Sequence, residues 1–347
     1  MPATTTTPVT RERLNGLMQA YKSTSLLRTA VELGVFDALA DGPATADALA
    51  LRLGTHPRGT RILLDAMVAI SLAWLDGDAY HLPPGAEQFL ASKSPQYLGD
   101  MTKVISSDWE WDALKRLTEA VRHGGTVMDE HAETAEYEYW VDFASFASAI
   151  ATPTARVMTD ALGDFSAARP SLRVLDLACG HGIYGYTFAQ RHTQATVTSL
   201  DWDNVVPVAA RHAERLGVAD RVDYRTGDMF TAPLGGPYDV VMLTNVLHHF
   251  SEERGIELLR RAREALTPDG RLALVGFTTG AGTPAEDPAP YLFSILMLVW
   301  TAEGEVHSRA AYDRMLAASG FAEPELHTVA HLPLRVLIAS PADLPAR

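Results

Sequence analysis

The stretch that decides the fold reads Val174-Leu175-Asp176-Leu177-Ala178-Cys179-Gly180-His181-Gly182-Ile183-Tyr184-Gly185. Its apolar first half has the character of a buried strand, and the glycines that follow predict a turn that brings backbone close to a ligand before a helix starts. Outward from it the same alternation repeats. Strand-like runs at 173–177, 195–200, 222–225, 239–243 and 271–277 alternate with helical segments at 183–191, 204–217, 252–267 and 308–319. That order predicts an α/β domain over 171–347, built on a parallel, doubly wound sheet. Two closing runs, 325–330 and 334–339, are parted by a short turn around Pro333 and predict a terminal antiparallel hairpin.

Upstream, residues 1–120 are mostly helical in pattern. Leu14, Leu17, Met18 and Tyr21 recur at three- and four-residue spacing and lead into the apolar segment 26–39. Thr45 is placed to cap a first short helix, a second spans about 57–71, and the runs on either side of Asp76-Gly77-Asp78 form a hairpin. Helix, helix, hairpin predicts a winged helix. The helix before the wing offers only Arg58 and Arg61 as cations, which suits packing or dimerisation better than reading a DNA groove. Residues 121–170 read as linking helices, with Tyr137, Tyr139, Trp140, Phe143 and Phe146 on a predicted helix over 137–150. Such a stripe builds a core or walls a pocket.

Composition narrows the partners. In 347 residues, 29 Lys and Arg stand against 43 Asp and Glu, a net charge of −14 that repels phosphate backbones and anionic membranes. No nucleic acid or membrane partner is expected. The single cysteine, Cys179, excludes an internal disulfide and a multi-cysteine metal cluster. The polar start Met-Pro-Ala-Thr-Thr-Thr-Thr-Pro has no signal-peptide pattern, and no apolar run approaches the ~18 residues of a membrane span, so a cytoplasmic location is expected.

Gly180, Gly182 and Gly185 match the spacing of a dinucleotide fingerprint, which keeps a nicotinamide oxidoreductase open. Asp176 inside the strand end and the terminal hairpin weigh against it. Asp201 follows Gly182 by 19 residues at the end of the second strand, where a carboxylate can accept both hydroxyls of a ribose. Trp202 can cover an adenine face. Asp228 can accept from the adenine amino group, with Met229 beside the ring.

These residues, together with Asn245-Val246-Leu247-His248-His249-Phe250-Ser251 after the fourth strand, resemble the class I S-adenosylmethionine-dependent small-molecule O-methyltransferases. The resemblance covers nearly the whole chain. It implies a winged-helix dimerisation domain before a Rossmann-like catalytic domain, a homodimer formed through the N-terminal domain, and S-adenosylmethionine as cofactor. It also implies Asp201 at the ribose, Asp228 and Met229 at the adenine and His248 as the general base; Asp176, Gly180, Gly182, Trp202 and Thr244 complete the expected cofactor site. The sulfonium leaves as a neutral thioether, so a base that takes the acceptor's proton suffices. An imidazole with a pKa near ~6.5 is suited to that. The chain departs from the family around the base. Aspartate after the base is replaced by His249, and a lysine common before it by Thr244. Of two glutamates that flank the base in the family, the first position holds Gly276, and near the second lies Glu305, out of register by one.

Neighbouring His248 and His249, with His307 elsewhere, lack a diagnostic metal spacing, and no metal is expected. The acceptor pocket is expected among Tyr139, Trp140, Phe143, Phe146, His249, Met297 and Trp300, with Trp109 and Trp111 as further candidates. Large flat apolar walls fit a small aromatic hydroxyl acceptor, and the scarcity of lysine fits a GC-rich bacterial genome and specialised metabolism. Methylation of an enolisable or indole-like carbon and a cofactor-sensing winged-helix regulator are the competing readings.

Overall fold

The computed structural model describes residues 8–342, apart from the side chains of Ser148 and Ala149; the polar residues 1–7 lie outside this range. The chain divides into two compact units between Ser107 and Asp108.

In the first unit a long helix, Arg11–Glu32, precedes Val35–Ala40, Ala46–Leu53 and Pro57–Ala69. Thr45 caps the third of these as expected, its hydroxyl accepting from the Ala48 N–H. Three short strands follow the winged-helix plan: β1 (Ala44–Thr45), β2 (Trp74–Asp76) and β3 (Ala79–His81), with β3 in the middle of an antiparallel sheet. Gly77 turns the wing with φ +60°, a conformation that disfavours a Cβ. Phe36, Leu49, Leu64, Met67 and Tyr80 form the core. The first half of the long helix contributes little to it: Leu14, Leu17, Met18 and Tyr21 are exposed, Leu17 at 67%.

The second unit holds a seven-stranded sheet. Its strands are β4 (Leu172–Leu177), β5 (Ala195–Asp201), β6 (Val222–Thr226), β7 (Tyr238–Thr244), β8 (Leu266–Phe277), β9 (Glu325–Thr328) and β10 (Leu334–Ala339). The order β6-β5-β4-β7-β8-β10-β9 is parallel through β8, and β10 then joins β8 antiparallel with β9 at the edge. This is a Rossmann-like doubly wound sheet closed by the predicted hairpin. Strand alternation sorts side chains onto two faces. Val174, Val197, Val240 and Met242 pack under helices Ser148–Ala161 and Ile183–Arg191, while Leu175, Leu177, Val241 and Leu243 pack under Glu252–Ala265 and Arg309–Ala318. Asp176 shares the face of Val174, directly beneath the helix that the glycine turn begins.

Two expectations need correction. The helix expected over 137–150 is two, Tyr139–Phe146 and Ser148–Ala161, hinged at Ala147, and Tyr137 precedes both. The second packs on Ile183–Arg191 and β10. The strand expected from Arg271 begins at Leu266, and residues 267–270 within it have no partner on β7, whose ladder steps from Tyr238–Leu266 to Val240–Arg271. Leu266 faces Tyr238 across a register irregularity, and Gly270 lies so close to Leu266 and the Asp239 carbonyl that a Cβ would approach them to 2.9 and 3.0 Å. Helices Asp108–Lys115 and Leu117–His123, in the second unit, pack on the helix Pro288–Trp300.

Leu64→Ala is expected to destabilise the first unit by about 2–5 kcal/mol through lost burial and a residual cavity. Leu51→Ala, at an exposed position on the neighbouring helix, is expected to stay within about 0.5 kcal/mol. Denaturant titration of both variants measures the contrast.

Candidate active site

The turn after β4 is held by two carboxylates. Asp201, at the end of β5, accepts from the Gly180 N–H through Oδ2 and from the Trp202 N–H through Oδ1, both at 2.7 Å. Asp176 Oδ2 accepts from the Gly185 N–H at 3.2 Å, and a Cβ at Gly185 would come within 2.9 Å of that oxygen. Gly180 and Gly182 have φ of +54° and +70°, and Ala178 shares the left-handed region at +57°. At Gly182 a Cβ would also strike the Tyr186 ring. Cys179 is buried within the turn, and burial holds its thiol protonated.

Polar capacity remains here. Asp176 Oδ1 and Asn245 Oδ1 are buried acceptors with no partner, and Asn245 donates through Nδ2 to the Tyr184 hydroxyl at 3.1 Å. Burial raises Asp176 to about 7, with the charge of Asp201 adding to the effect, and raises Asp201 to about 6 against its two N–H donors. Asp228 follows β6 and is half-buried. Its Oδ1 accepts from the Phe230 N–H at 2.8 Å, while Met229 packs against the sheet core and Thr244 ends β7 as a buried residue. These groups lie around the carboxyl ends of β4, β5, β6 and β7, where an open α/β sheet binds its ligand. Glycine backbone, a ribose-competent carboxylate and spare buried acceptors fit a nucleoside ligand that carries positive charge.

After β7 a single 3₁₀ turn, Leu247–His249, carries both histidines inward. His248 is 2% exposed, its Nδ1 has no partner, and burial together with His249 and His307 pushes it well below the ordinary imidazole range. The ring meets Phe293 edge-on at 5.0 Å and His249 at 4.7 Å. His307 holds this turn: its Nε2–H points at the Leu247 and Phe250 carbonyls, 3.2 and 3.0 Å away. Gly304 presses against the same turn, and a Cβ there would reach 2.6 Å from the His248 carbonyl oxygen. Glu305 is exposed. Gly276 leaves room beside His248, its absent Cβ lying 3.9 Å from Nδ1 and 2.9 Å from the Tyr312 hydroxyl.

An aromatic wall joins the histidines to the expected pocket residues. Trp140 meets His249 at 5.3 Å and Trp300 at 6.2 Å, Tyr139 meets Trp300 at 4.3 Å, and Phe143 stacks on His181 of the glycine turn at 6.0 Å. Met297 is buried on the helix that carries Trp300. Trp109 reaches this wall through Tyr137, 5.4 Å away. Phe146 is half-buried at the end of the same helix as Trp140. Sequence reasoning did not single out Phe277 and Phe293, stacked at 4.2 Å beside His248, or His181, which burial lowers to about 3. Among the described residues, no group of three or more His, Cys, Asp or Glu is placed to hold a metal ion.

A sheet of this order, with carboxylates in the ends of β4 and β5 and after β6 and an imidazole after β7, has the architecture of a class I methyltransferase. The chain belongs to the O-methyltransferase family: the O-methyltransferase domain matches residues 114–322 and the O-methyltransferase dimerisation domain residues 15–92. Over 330 residues it is 30% identical to the acetylserotonin O-methyltransferase of Mus musculus molossinus, covering 90% of this chain and 84% of that one. Over 315 residues it is 29% identical to the tetracenomycin polyketide synthesis 8-O-methyl transferase TcmO of Streptomyces glaucescens, with 88% and 90% covered. The fold is shared with human N-acetylserotonin methyltransferase in complex with SAM, at a TM-score of 0.82 and 24% identity over 97% of this chain and 99% of that one. The protein is a transferase with S-adenosylmethionine as cofactor, and this takes the place of the nicotinamide and regulator readings.

The two carboxylates set a pH dependence. Their folded pKa values exceed those of the unfolded chain, so the folded protein holds more protons between about pH 4 and 7, and their contribution lowers stability as pH rises through that window. A ligand that favours the ionised forms binds more tightly over the same rise. Calorimetric affinity for S-adenosylmethionine is expected to increase by about 4-fold if only Asp201 must ionise and by up to about 100-fold if both must, from pH 5.5 to 7.5, and Asp201→Ala to weaken it by roughly 1–3 kcal/mol.

Proposed function

We propose that the protein transfers a methyl group to the hydroxyl of a small, flat aromatic molecule of specialised metabolism, with His248 as the general base. The observation that carries this reading is the placement of His248, a buried imidazole at the carboxyl end of the sheet walled by Phe293, Phe277 and the Trp140–Trp300 cluster. The TcmO relative, named for polyketide 8-O-methylation, supports an aromatic acceptor.

In this reading Asp201 accepts from the ribose hydroxyls, Asp228 and Met229 hold the adenine with Trp202 over its face, and the glycine turn admits the rest. Asp176 and Thr244 close the same site. When bound, S-adenosylmethionine supplies an electrophilic methyl on a sulfonium that leaves uncharged. The chain's own task is to orient the acceptor, exclude water and take one proton. Tyr139, Trp140, Phe143, Phe146, Met297 and Trp300 hold the acceptor ring, and His249 supports the wall through Trp140. His248 takes the hydroxyl proton on Nε2, since Nδ1 faces the enclosed space beside Gly276.

The working unit is a homodimer joined through the N-terminal unit. The open face Leu14, Leu17, Met18 and Tyr21 exceeds what a small domain leaves in water, and a hollow of about 470 Å³ lined by Leu26, Leu33, Leu53, Ile62 and Leu63 lies along the same helix. A cytoplasmic location belongs to this reading; no helix of the described residues is long and apolar enough to cross a membrane.

With a phenolic acceptor, His248→Ala is expected to lower turnover by ~10²–10⁴ with cofactor affinity nearly unchanged, and His249→Ala to cost less. Carbon NMR of the product made with labelled methyl identifies the receiving atom, and a C-methyl signal would replace hydroxyl by carbon transfer. Light scattering is expected to give a dimer for the native chain and a monomer for the double variant Leu17→Glu/Met18→Glu.

A further inference from the structure

His248 is a base without a counter-charge. Its Nδ1 is buried and unpartnered, and the side chain that would meet it from β8 is absent because residue 276 is glycine. On the other side, Glu305 points to solvent, and the inward position two residues later is His307, whose Nε2–H is committed to the Leu247 and Phe250 carbonyls. The titratable groups around the ring are therefore His249 on its own turn, His307 before the helix Arg309–Ala318, and Tyr312 on that helix, whose phenol burial keeps protonated. Phe277 from β8 and Phe293 from the helix Pro288–Trp300 complete the surroundings. Among the described residues, no carboxylate faces the imidazole. A proton placed on His248 would create a cation enclosed by two more imidazoles and aromatic rings.

We infer that this site selects acceptors whose hydroxyl is itself strongly acidic, such as vinylogous acids, enols of 1,3-dicarbonyls and hydroxyquinones, and discriminates against ordinary phenols. The inference rests on the hydroxyl-transfer reading above. In the step, the O–H proton passes to His248 and from there to solvent. The acceptor oxygen's electron pair forms the new O–CH₃ bond, and the pair of the breaking C–S bond stays on sulfur as the neutral thioether. An imidazole that gains so little from protonation takes the proton readily only when the hydroxyl gives it up readily, so reactivity follows acceptor acidity and not nucleophile strength.

The test uses the intact protein with S-adenosylmethionine and a series of similarly shaped hydroxyarenes and enols whose pKa values run from about 5 to about 10, the ordinary phenol value. Turnover at pH 7.5 is expected to fall about 3- to 10-fold for each unit of acceptor pKa above about 7. Binding of the same series to the S-adenosylhomocysteine-loaded protein is expected to vary less than about threefold, so that selection lies in the chemistry. The double variant Gly276→Asp/Tyr312→Phe brings a carboxylate beside Nδ1 and removes the hydroxyl that would obstruct it; a flatter dependence on acceptor pKa is expected. O-methylated products with a flat or rising dependence in the native protein would overturn the inference alone, as would discrimination residing wholly in binding. Methyl on carbon or nitrogen, or none on any oxygen of the series, would overturn the hydroxyl-transfer reading and the inference with it.

Discussion

Asp201 joins two loops that leave the sheet at neighbouring strands. One oxygen receives the Gly180 N–H and the other the Trp202 N–H, so the glycine turn after β4 and the start of the loop after β5 are held by one nearly buried carboxylate. Asp176 does the same one strand-turn further in, through Gly185. Removing these charges from water costs free energy that only backbone donors offset, which is why both groups sit far above the ordinary carboxylate range. The left-handed backbone at Ala178, Gly180 and Gly182 follows from the same geometry, because the turn must aim its N–H groups inward at close range.

The histidine turn is organised differently. No charge holds it; His307 grips two carbonyls from outside, Gly304 lets backbone lie against backbone, and aromatic rings close the remaining sides. The same sheet therefore carries an electrostatic half around Asp176 and Asp201 and an aromatic half around the histidine turn, side by side along its carboxyl edge. Trp140 and Phe143, on successive turns of one helix, reach into both halves, one against His249 and the other against His181.

Much of this was legible in the sequence because it is written in local patterns. The strand–glycine–helix segment, the alternation from 171 onward and the Asp-Gly wing each depend on neighbouring residues only. The distance from Gly182 to Asp201 points to a carboxylate at the end of the second strand, but its bonds to Gly180 and Trp202 were not legible, since they follow from strand pairing. The Thr-Pro-Asp-Gly segment at 267–270 keeps its local turn character inside β8: the ladder with β7 steps from Leu266 to Arg271 and leaves these residues unpaired, an irregularity that only the strand pairing reveals. Glu305 drew attention as the charged residue near the expected place. The inward residue is His307, and only the path of the loop from Gly304 decides which side chain turns toward the core. Phe277 and Phe293 carry no chemical signature at all; their importance comes from being stacked beside an imidazole.

Gly304 has a consequence for how such an enzyme can diversify. A Cβ at this position would fall so close to the His248 carbonyl and the His249 backbone that any side chain, even a methyl, would displace the turn that carries His248. A mutational walk toward new acceptors is therefore blocked at this point, however attractive its location. Ile295 and Leu292, exposed on the helix that also supplies Phe293, are not bound by that constraint, so the helix can vary in sequence where the loop cannot.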